Sequence, residues 1–362
     1  MATTQAAILQ NIDLKAPPES VTRGRRANWW RRTGTRRGRG FRYEWPDGRP
    51  VTEEAALERI RTLAVPPAWR EVRVSPSPRS SLQAIGLDGA GRVQRVYHPS
   101  FTARQQLRKY EKVVRFGELL PALRRRTNED IESEGLTKRK VLAVVVRLIN
   151  DLYFRVGSEH SVRRYRTYGV TTLRSRHLEI EDGGRLVFRF TGKHQVRQRR
   201  VLVDEELAAL MRDLKAAGGA RLFEYTDEEG RVRAVRPRDV NDYIKAATAA
   251  EFSAKDFRTW GGSLLAAVKL AEARPSDDER ESRRNVVRAV RQVAEHLGNT
   301  PAVCRSSYVH PVVFDSYRRG VTIEEFRPRR ERRRVLGRQP DYQPEELALL
   351  KLLRAKPNGQ GG

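Results

Sequence analysis

The 362-residue sequence predicts an α+β protein. A small β-rich amino-terminal domain precedes a mainly α-helical domain that carries one small antiparallel sheet. Three observations predict this. Between 41 and 97, apolar residues alternate in short runs separated by Pro, Asp and Gly turns. From 100 onward they recur at helical spacing, as Val286, Val287, Val290, Val293 and Leu297 do. One alternating hairpin, 177–191, interrupts the helices. The expected divisions are a basic mobile tail over 1–35, the β-rich domain over 36–100, the helical domain over 101–340, and a C-terminal helix and tail over 341–362.

Charge narrows the partner. Lys and Arg number 72 against 45 Asp and Glu, a net +27, and most of the positive charge is Arg. Such a balance implies a polyanion, and Arg favours forked contacts with phosphate. A membrane surface would attract it too, but no stretch approaches the roughly 18 apolar residues of a spanning helix, and no signal peptide is expected. Cys304 is the single cysteine, which rules out an intrachain disulfide and suits a reducing cytoplasm. No CxxC, HExxH or DxD-type cluster appears, so neither metal nor cofactor is expected.

The elements follow in order. Arg23, Arg25, Arg26, Arg31, Arg32, Arg36, Arg37 and Arg39 come with no acid among them, interleaved with Trp29-Trp30 and glycines. This reads either as a solvated basic tail or as an arm tracking phosphates, its Trp pair stacking on bases. Phe41-Arg42-Tyr43-Glu44-Trp45 is a strand ended by Pro46-Asp47-Gly48, and a short helix from Thr52 to Leu63 stops at Pro66-Pro67. Strands at 71–74, 81–87 and 92–97 complete the first domain. Arg92, Gln94, Arg95, Tyr97 and His98 give its last edge the groups that bond bases and phosphates.

A polar, basic helix over 101–123 reads as a domain connector. The 141–149 run is nearly all apolar, so its helix is buried on most sides and delivers Arg155 in its last turn. There Arg155 serves the helix dipole or a ligand. Strands 177–181 and 185–191 form the hairpin. Gly192-Lys193-His194-Gln195 then turns into a third strand, leaving Lys193 at a tip, as a solvated lysine or one reaching outward. Helices over 204–215 and 239–250 follow, with a polar loop or hairpin over 224–236 between them. Ser253-Ala254-Lys255-Asp256 opens another helix, with Arg258 beside its apolar stripe and Gly261-Gly262 one turn on. Arg258 is a phosphate ligand or a buried structural arginine. After a surface connection over 274–284, the helix containing Val286 ends at Gly298, suited to a left-handed cap. Thr300-Pro301 starts the next helix, which pins Asn299 at the break and sets Tyr308 two turns on. Residues 324–338 are basic and irregular, and a short helix covers 345–354.

Arg155, Lys193, Arg258, Asn299 and Tyr308 thus sit at turns and element ends, where side chains can converge. The blocks that carry them are Phe154-Arg155-Val156-Gly157, Tyr168-Gly169-Val170-Thr171-Thr172-Leu173, Phe190-Thr191-Gly192-Lys193, Lys255-Asp256-Phe257-Arg258-Thr259-Trp260, and Gly298-Asn299-Thr300-Pro301 with Tyr308. Together they resemble the type IB DNA topoisomerases, in particular the small bacterial and poxvirus-like branch. Gly38-Arg39-Gly40-Phe41, Val65-Pro66-Pro67-Ala68-Trp69, Leu82-Gln83-Ala84 and Asp88-Gly89-Ala90-Gly91-Arg92 are similar to the amino-terminal domain of bacterial members. The likeness covers about 36–320.

The resemblance implies that Tyr308 attacks a phosphodiester to give a 3′-phosphotyrosyl link and a free 5′-hydroxyl. Arg155, Arg258 and Asn299 would stabilise the phosphorane and Lys193 would protonate the leaving oxygen. It implies a monomer that clamps duplex DNA and sits with the nucleoid in the cytoplasm. Two positions depart from the pattern. Asn299 stands where poxviral and nuclear members carry histidine; bacterial members commonly carry the same Asn. Ser161, with His160 beside it, stands where relatives place a DNA-contacting tyrosine. A tyrosine recombinase shares the Arg, Lys and Tyr chemistry but typically shows His-x-x-Arg where this chain has Lys255-Asp256-Phe257-Arg258. A non-catalytic packaging protein is supported by charge alone.

Overall fold

The computed structural model describes residues 24–35, 40–327 and 341–355. It divides into two compact units, Met1–Lys109 and Tyr110–Gly362. The division falls inside a single long helix.

The first unit is built on an antiparallel sheet of strands β1 (Trp30–Thr35), β2 (Gly40–Glu44), β3 (Arg70–Val74), β4 (Leu82–Leu87) and β5 (Val93–Tyr97), in the order β2-β1-β3-β4-β5. Helix α1 (Glu54–Thr62) turns Ala56 and Ile60 into a core with Trp30, Val51, Val72, Val74 and Ala84. The expected tail is corrected here: 24–35 is not a tail. Trp30 pairs opposite Val74 and is 4% exposed, its ring edge-on to Trp45 at 5.7 Å. Trp29 packs against Ile85 and Leu87. Arg32 donates from Nη1 to the Pro66 carbonyl at 3.1 Å. An indole on an inner strand face removes more apolar area from water than any tail position would, and the sheet takes it. Arg23, Arg36, Arg37 and Arg39 lie outside the described residues.

Helix α2 (Pro99–Glu132) runs well past the expected 123, with Pro121 inside it. The second unit packs its second half with α3 (Lys138–Leu152), α4 (Glu159–Tyr165), α5 (Glu205–Ala216), α6 (Pro237–Thr248), α7 (Ala254–Ala273), α8 (Glu279–Leu297), α9 (Pro301–Ser307), α10 (Pro311–Arg318) and α11 (Pro344–Arg354). Two antiparallel sheets accompany them: β6 (Leu178–Glu181), β7 (Arg185–Thr191) and β8 (Arg197–Val203), and the pair β9 (Glu224–Thr226) and β10 (Val232–Ala234).

Helix α3 is the hub. Val141 to Ile149 are buried on every side, as an all-round apolar helix requires. Helix α8 begins at Glu279 with Asp278 as its cap, so the surface connection expected over 274–284 is only half as long. The first-turn acids Glu279 and Glu281 favour that start. Helix α11 is part of the core rather than an appendage: Glu346 is 3% exposed and takes both Arg124 guanidinium nitrogens at 2.7 Å. Of 324–338, expected to be irregular, the first residues belong to a short 3-10 helix, Ile323–Phe326, and 328–338 lies outside the described residues.

Candidate active site

The site is assembled on the C-terminal end of α8. A helix leaves its last carbonyls without intrahelical partners, and its partial negative charge attracts cations. Three arginines answer three consecutive carbonyls. Arg200 donates to the His296 oxygen, Arg258 Nη2 to Leu297 at 2.8 Å, and Arg155 Nη2 to Gly298 at 2.8 Å. Gly298 holds φ +60°, the left-handed turn that ends α8, and a Cβ there would lie 2.8 Å from the Gln198 amide.

Each arginine arrives from a different element. Helix α3 stops at Leu152 because Tyr153 takes φ 53°, so Arg155 lies beyond the helix rather than in its last turn. The helix end it serves is that of α8, not its own. Arg258 comes one turn into α7, whose start is fixed by the Ser253 and Asp256 capping box. It is 4% exposed, and its Nη1 also holds the Tyr153 carbonyl at 2.5 Å. Structural and ligand-binding readings therefore meet in one residue: its Nε is buried without an acceptor.

Asn299 follows the turn. Its Oδ1 accepts from Arg155 Nη2, which fixes the amide and turns Nδ2 to the other side. That Nδ2 is also buried without a partner. Arg258, through the Leu297 carbonyl, and Asn299 thus meet at one turn, each with a buried donor that has no acceptor among the described residues.

Tyr308 closes α9, which Thr300 caps and Pro301 opens. The Arg258 guanidinium lies 5.3 Å from its ring centre. The approach is close because α7 carries Gly262 here: an added Cβ would sit 2.5 Å from the Tyr308 carbonyl oxygen. One residue on, Ser263 Oγ accepts from the His310 amide at 2.9 Å, so α7 holds the backbone on both sides of the tyrosine. Burial works to raise the Tyr308 phenol. The charges of Arg258 and then Arg155, with the Asn299 amide, outweigh it and leave the phenol below its ordinary value. Burial, then the charge of Arg258, pushes Arg155 down to about 10.

Four of the five expected residues therefore share one place. Lys193 does not: it stands exposed on the turn between β7 and β8 and makes no hydrogen bond or ion pair among the described residues. His194 and Gln195 beside it hold φ of 63° and 61°, and Gln195 Nε2 ties the tip to the Tyr165 carbonyl at 2.6 Å. The other candidates are dispersed. Arg92 and Gln94 both reach Asp88, at 2.8 and 2.9 Å, while Arg95 is exposed. Tyr97 stacks on Phe101 at 5.0 Å, and His98 Nδ1 meets Ser100 Oγ at 2.7 Å. Ser161 pairs with Ser158, the cap of α4.

Sequence reasoning missed Arg200 and Gln198. The signal was present in the alternation of β8: Gln198, Arg200 and Leu202 pair with the inward Phe190, Phe188 and Leu186, so an arginine sits on the inner face.

Residues 98–332 match the family model of the eukaryotic DNA topoisomerase I catalytic core, and residues 40–88 that of the bacterial DNA topoisomerase IB N-terminal domain. DNA topoisomerase 1B of Acanthamoeba polyphaga mimivirus is 30% identical over 287 residues, 77% of this chain and 85% of that protein. DNA topoisomerase 1B of vaccinia virus (strain Copenhagen) is 22% identical over 64% of this chain and 71% of its own length. DNA topoisomerase 1 of Mycosarcoma maydis is 25% identical over 54% of this chain, which corresponds to 22% of the fungal protein. With a catalytic core matched over more than half its length, the chain belongs to the type IB DNA topoisomerases.

Proposed function

We infer that this protein relaxes supercoiled duplex DNA by cutting one strand, letting it rotate and resealing it. The observation that carries the reading is the convergence of Arg155, Arg258 and Asn299 beside Tyr308 at the end of α8. The Tyr308 oxygen attacks the scissile phosphorus, its bond to phosphorus forms as the bond to the 5′-oxygen breaks, and a 3′-phosphotyrosyl ester remains. A phenol is a weak nucleophile at neutral pH, so stabilising the five-coordinate phosphorane carries much of the rate. Arg155 and Arg258 supply forked donors to its non-bridging oxygens, and Asn299 Nδ2 supplies another. Lys193 protonates the leaving 5′-oxygen, its hairpin closing on the DNA. Resealing runs the same steps backward. The ester keeps the free energy of the broken bond, so no ATP is needed.

The net +27 charge suits a monomer that clamps DNA, with affinity falling steeply as salt rises. Arg92, Gln94, Arg95, Tyr97 and His98 would meet the duplex from the first unit and Ser161 from the second. A cytoplasmic, nucleoid-associated setting follows from that substrate. The recombinase and packaging-protein readings are not favoured, since the matched core is that of a topoisomerase. The test is relaxation of a supercoiled plasmid in EDTA without ATP. Relaxed topoisomers are expected, and an unchanged supercoiled band would contradict the reading.

A further inference from the structure

Arg200 is the one member of the α8 cap that the transesterification leaves without a task. It stands on the inner face of β8 opposite Phe188, half-buried, and its guanidinium ends on the His296 carbonyl. The next two carbonyls are those held by Arg258 and Arg155, and the next side chain is Asn299. A second residue of the same strand, Gln198, lies against Gly298. Strand β8 therefore supports the whole 296–299 turn from below. Bringing a third guanidinium toward two others is unfavourable, and burial together with the Arg258 charge pushes Arg200 below its ordinary value. Such a group persists where the negative end of a helix compensates it.

We propose that Arg200 is a positioning residue of this reaction. By holding the His296 carbonyl it fixes the turn on which Asn299 is mounted, and so aims the Asn299 Nδ2 at the phosphate. The role rests on the type IB reading above. It differs from a direct DNA contact, which would act on binding, and from a general fold contribution, which would act regardless of Asn299.

The test is single-turnover formation of the covalent adduct on a nicked suicide duplex by the full chain. Arg200→Gln and Arg200→Lys are each made alone and with Asn299→Ala. Arg200→Gln is expected to slow cleavage about 10- to 100-fold, as small displacements of catalytic groups do, with DNA affinity at fixed salt within about twofold. Arg200→Lys, still a cationic donor, should recover much of that rate. In the Asn299→Ala background the Gln substitution should cost far less, because the group it aims is gone. An equal loss in both backgrounds, wild-type cleavage by Arg200→Gln, or a loss confined to affinity would each overturn the proposal. Should Arg200→Gln not fold, Arg200→Met, which keeps the length but offers no donor to the His296 carbonyl, completes the same cycle, and equal losses in its two backgrounds would be as decisive. A wild-type chain that formed no adduct would overturn the functional reading and this role with it.

Discussion

Gly262 lies directly beneath Tyr308: a methyl group added to it would stand 2.5 Å from the tyrosine carbonyl oxygen and 3.1 Å from its Cβ. The clash is with backbone, which cannot rotate away. Gly262→Ala should therefore lift the C-terminal end of α9 and carry the phenol off Arg258. Adduct formation is expected to fall about 10- to 100-fold, the scale of a small misplacement. Salt-dependent DNA retention on a filter should stay near wild type. Normal cleavage by this variant would mean that α9 has slack which the packing does not suggest.

The Arg155 bond to the Asn299 Oδ1 sets which end of the amide is turned away from Arg155, the end proposed to meet the phosphate. Asn299→Asp keeps an acceptor for Arg155 but removes the donor and adds a negative charge beside the phosphorane. Its cleavage rate should drop about 100- to 1,000-fold, as loss of one oxyanion donor does. Asn299→His restores a donor and should be the milder change. Rapid-quench rates for the two, ranked in the opposite order, would remove the amide nitrogen from the reaction.

Lys193 has a different signature, because its proposed work is on the leaving group. Lys193→Ala should cleave an ordinary strand very slowly, since an alkoxide leaves poorly without a proton. With sulfur at the bridging 5′ position the leaving group is good, and the variant should recover. Arg258→Ala should not recover on that substrate. Equal defects of the lysine variant on both strands would make Lys193 a backbone contact instead.

The Tyr308 hydroxyl is held below the ordinary phenol because Arg258, Arg155 and Asn299 outweigh its burial. The difference between ultraviolet titrations of wild type and Tyr308→Phe isolates that one group. It should ionise at lower pH than an exposed tyrosine, and Arg155→Met should move it upward. Ionisation above the ordinary phenol would show burial winning.

His177 offers a check on stability. Its Nδ1 accepts the Arg174 amide at 3.0 Å and its ring lies 4.4 Å from that of Tyr168. Burial, then the charges of Arg176 and Arg174, lowers it to about 4 from 6.5. The folded state thus prefers the neutral ring. Its contribution is complete above 6.5 and is lost as pH falls toward about 4. Urea midpoints should decline over that interval more steeply for wild type than for His177→Gln. Parallel declines would place the acid sensitivity elsewhere.

Much of this was legible in the sequence for identifiable reasons. The α3 hub, the β6–β7 hairpin and the α8–α9 break rest on local signals: an all-apolar helical run, strict alternation around Asp182-Gly183-Gly184, and Gly298 followed by Thr300-Pro301. What failed depended on distant partners. Nothing near Trp30 says that Val74 will pair with it, so basic neighbours made a strand look like a tail. The left-handed Tyr153 that puts Arg155 outside α3 is stabilised by the Arg258 bond to its carbonyl, 105 residues away. Arg200 was passed over because an arginine in a strand is ordinary until a helix end is found above it.

The central claim is that Tyr308 takes the 3′ side of the broken strand. A duplex labelled at the 5′ end of the scissile strand, denatured in detergent during reaction, tests it most directly. Wild type should carry that label into a protein-sized band, with the adduct mapped to the Tyr308 peptide by mass spectrometry, and Tyr308→Phe should give no such band. Label transferred only from the 3′ end, or a band that survives Tyr308→Phe, would contradict the account.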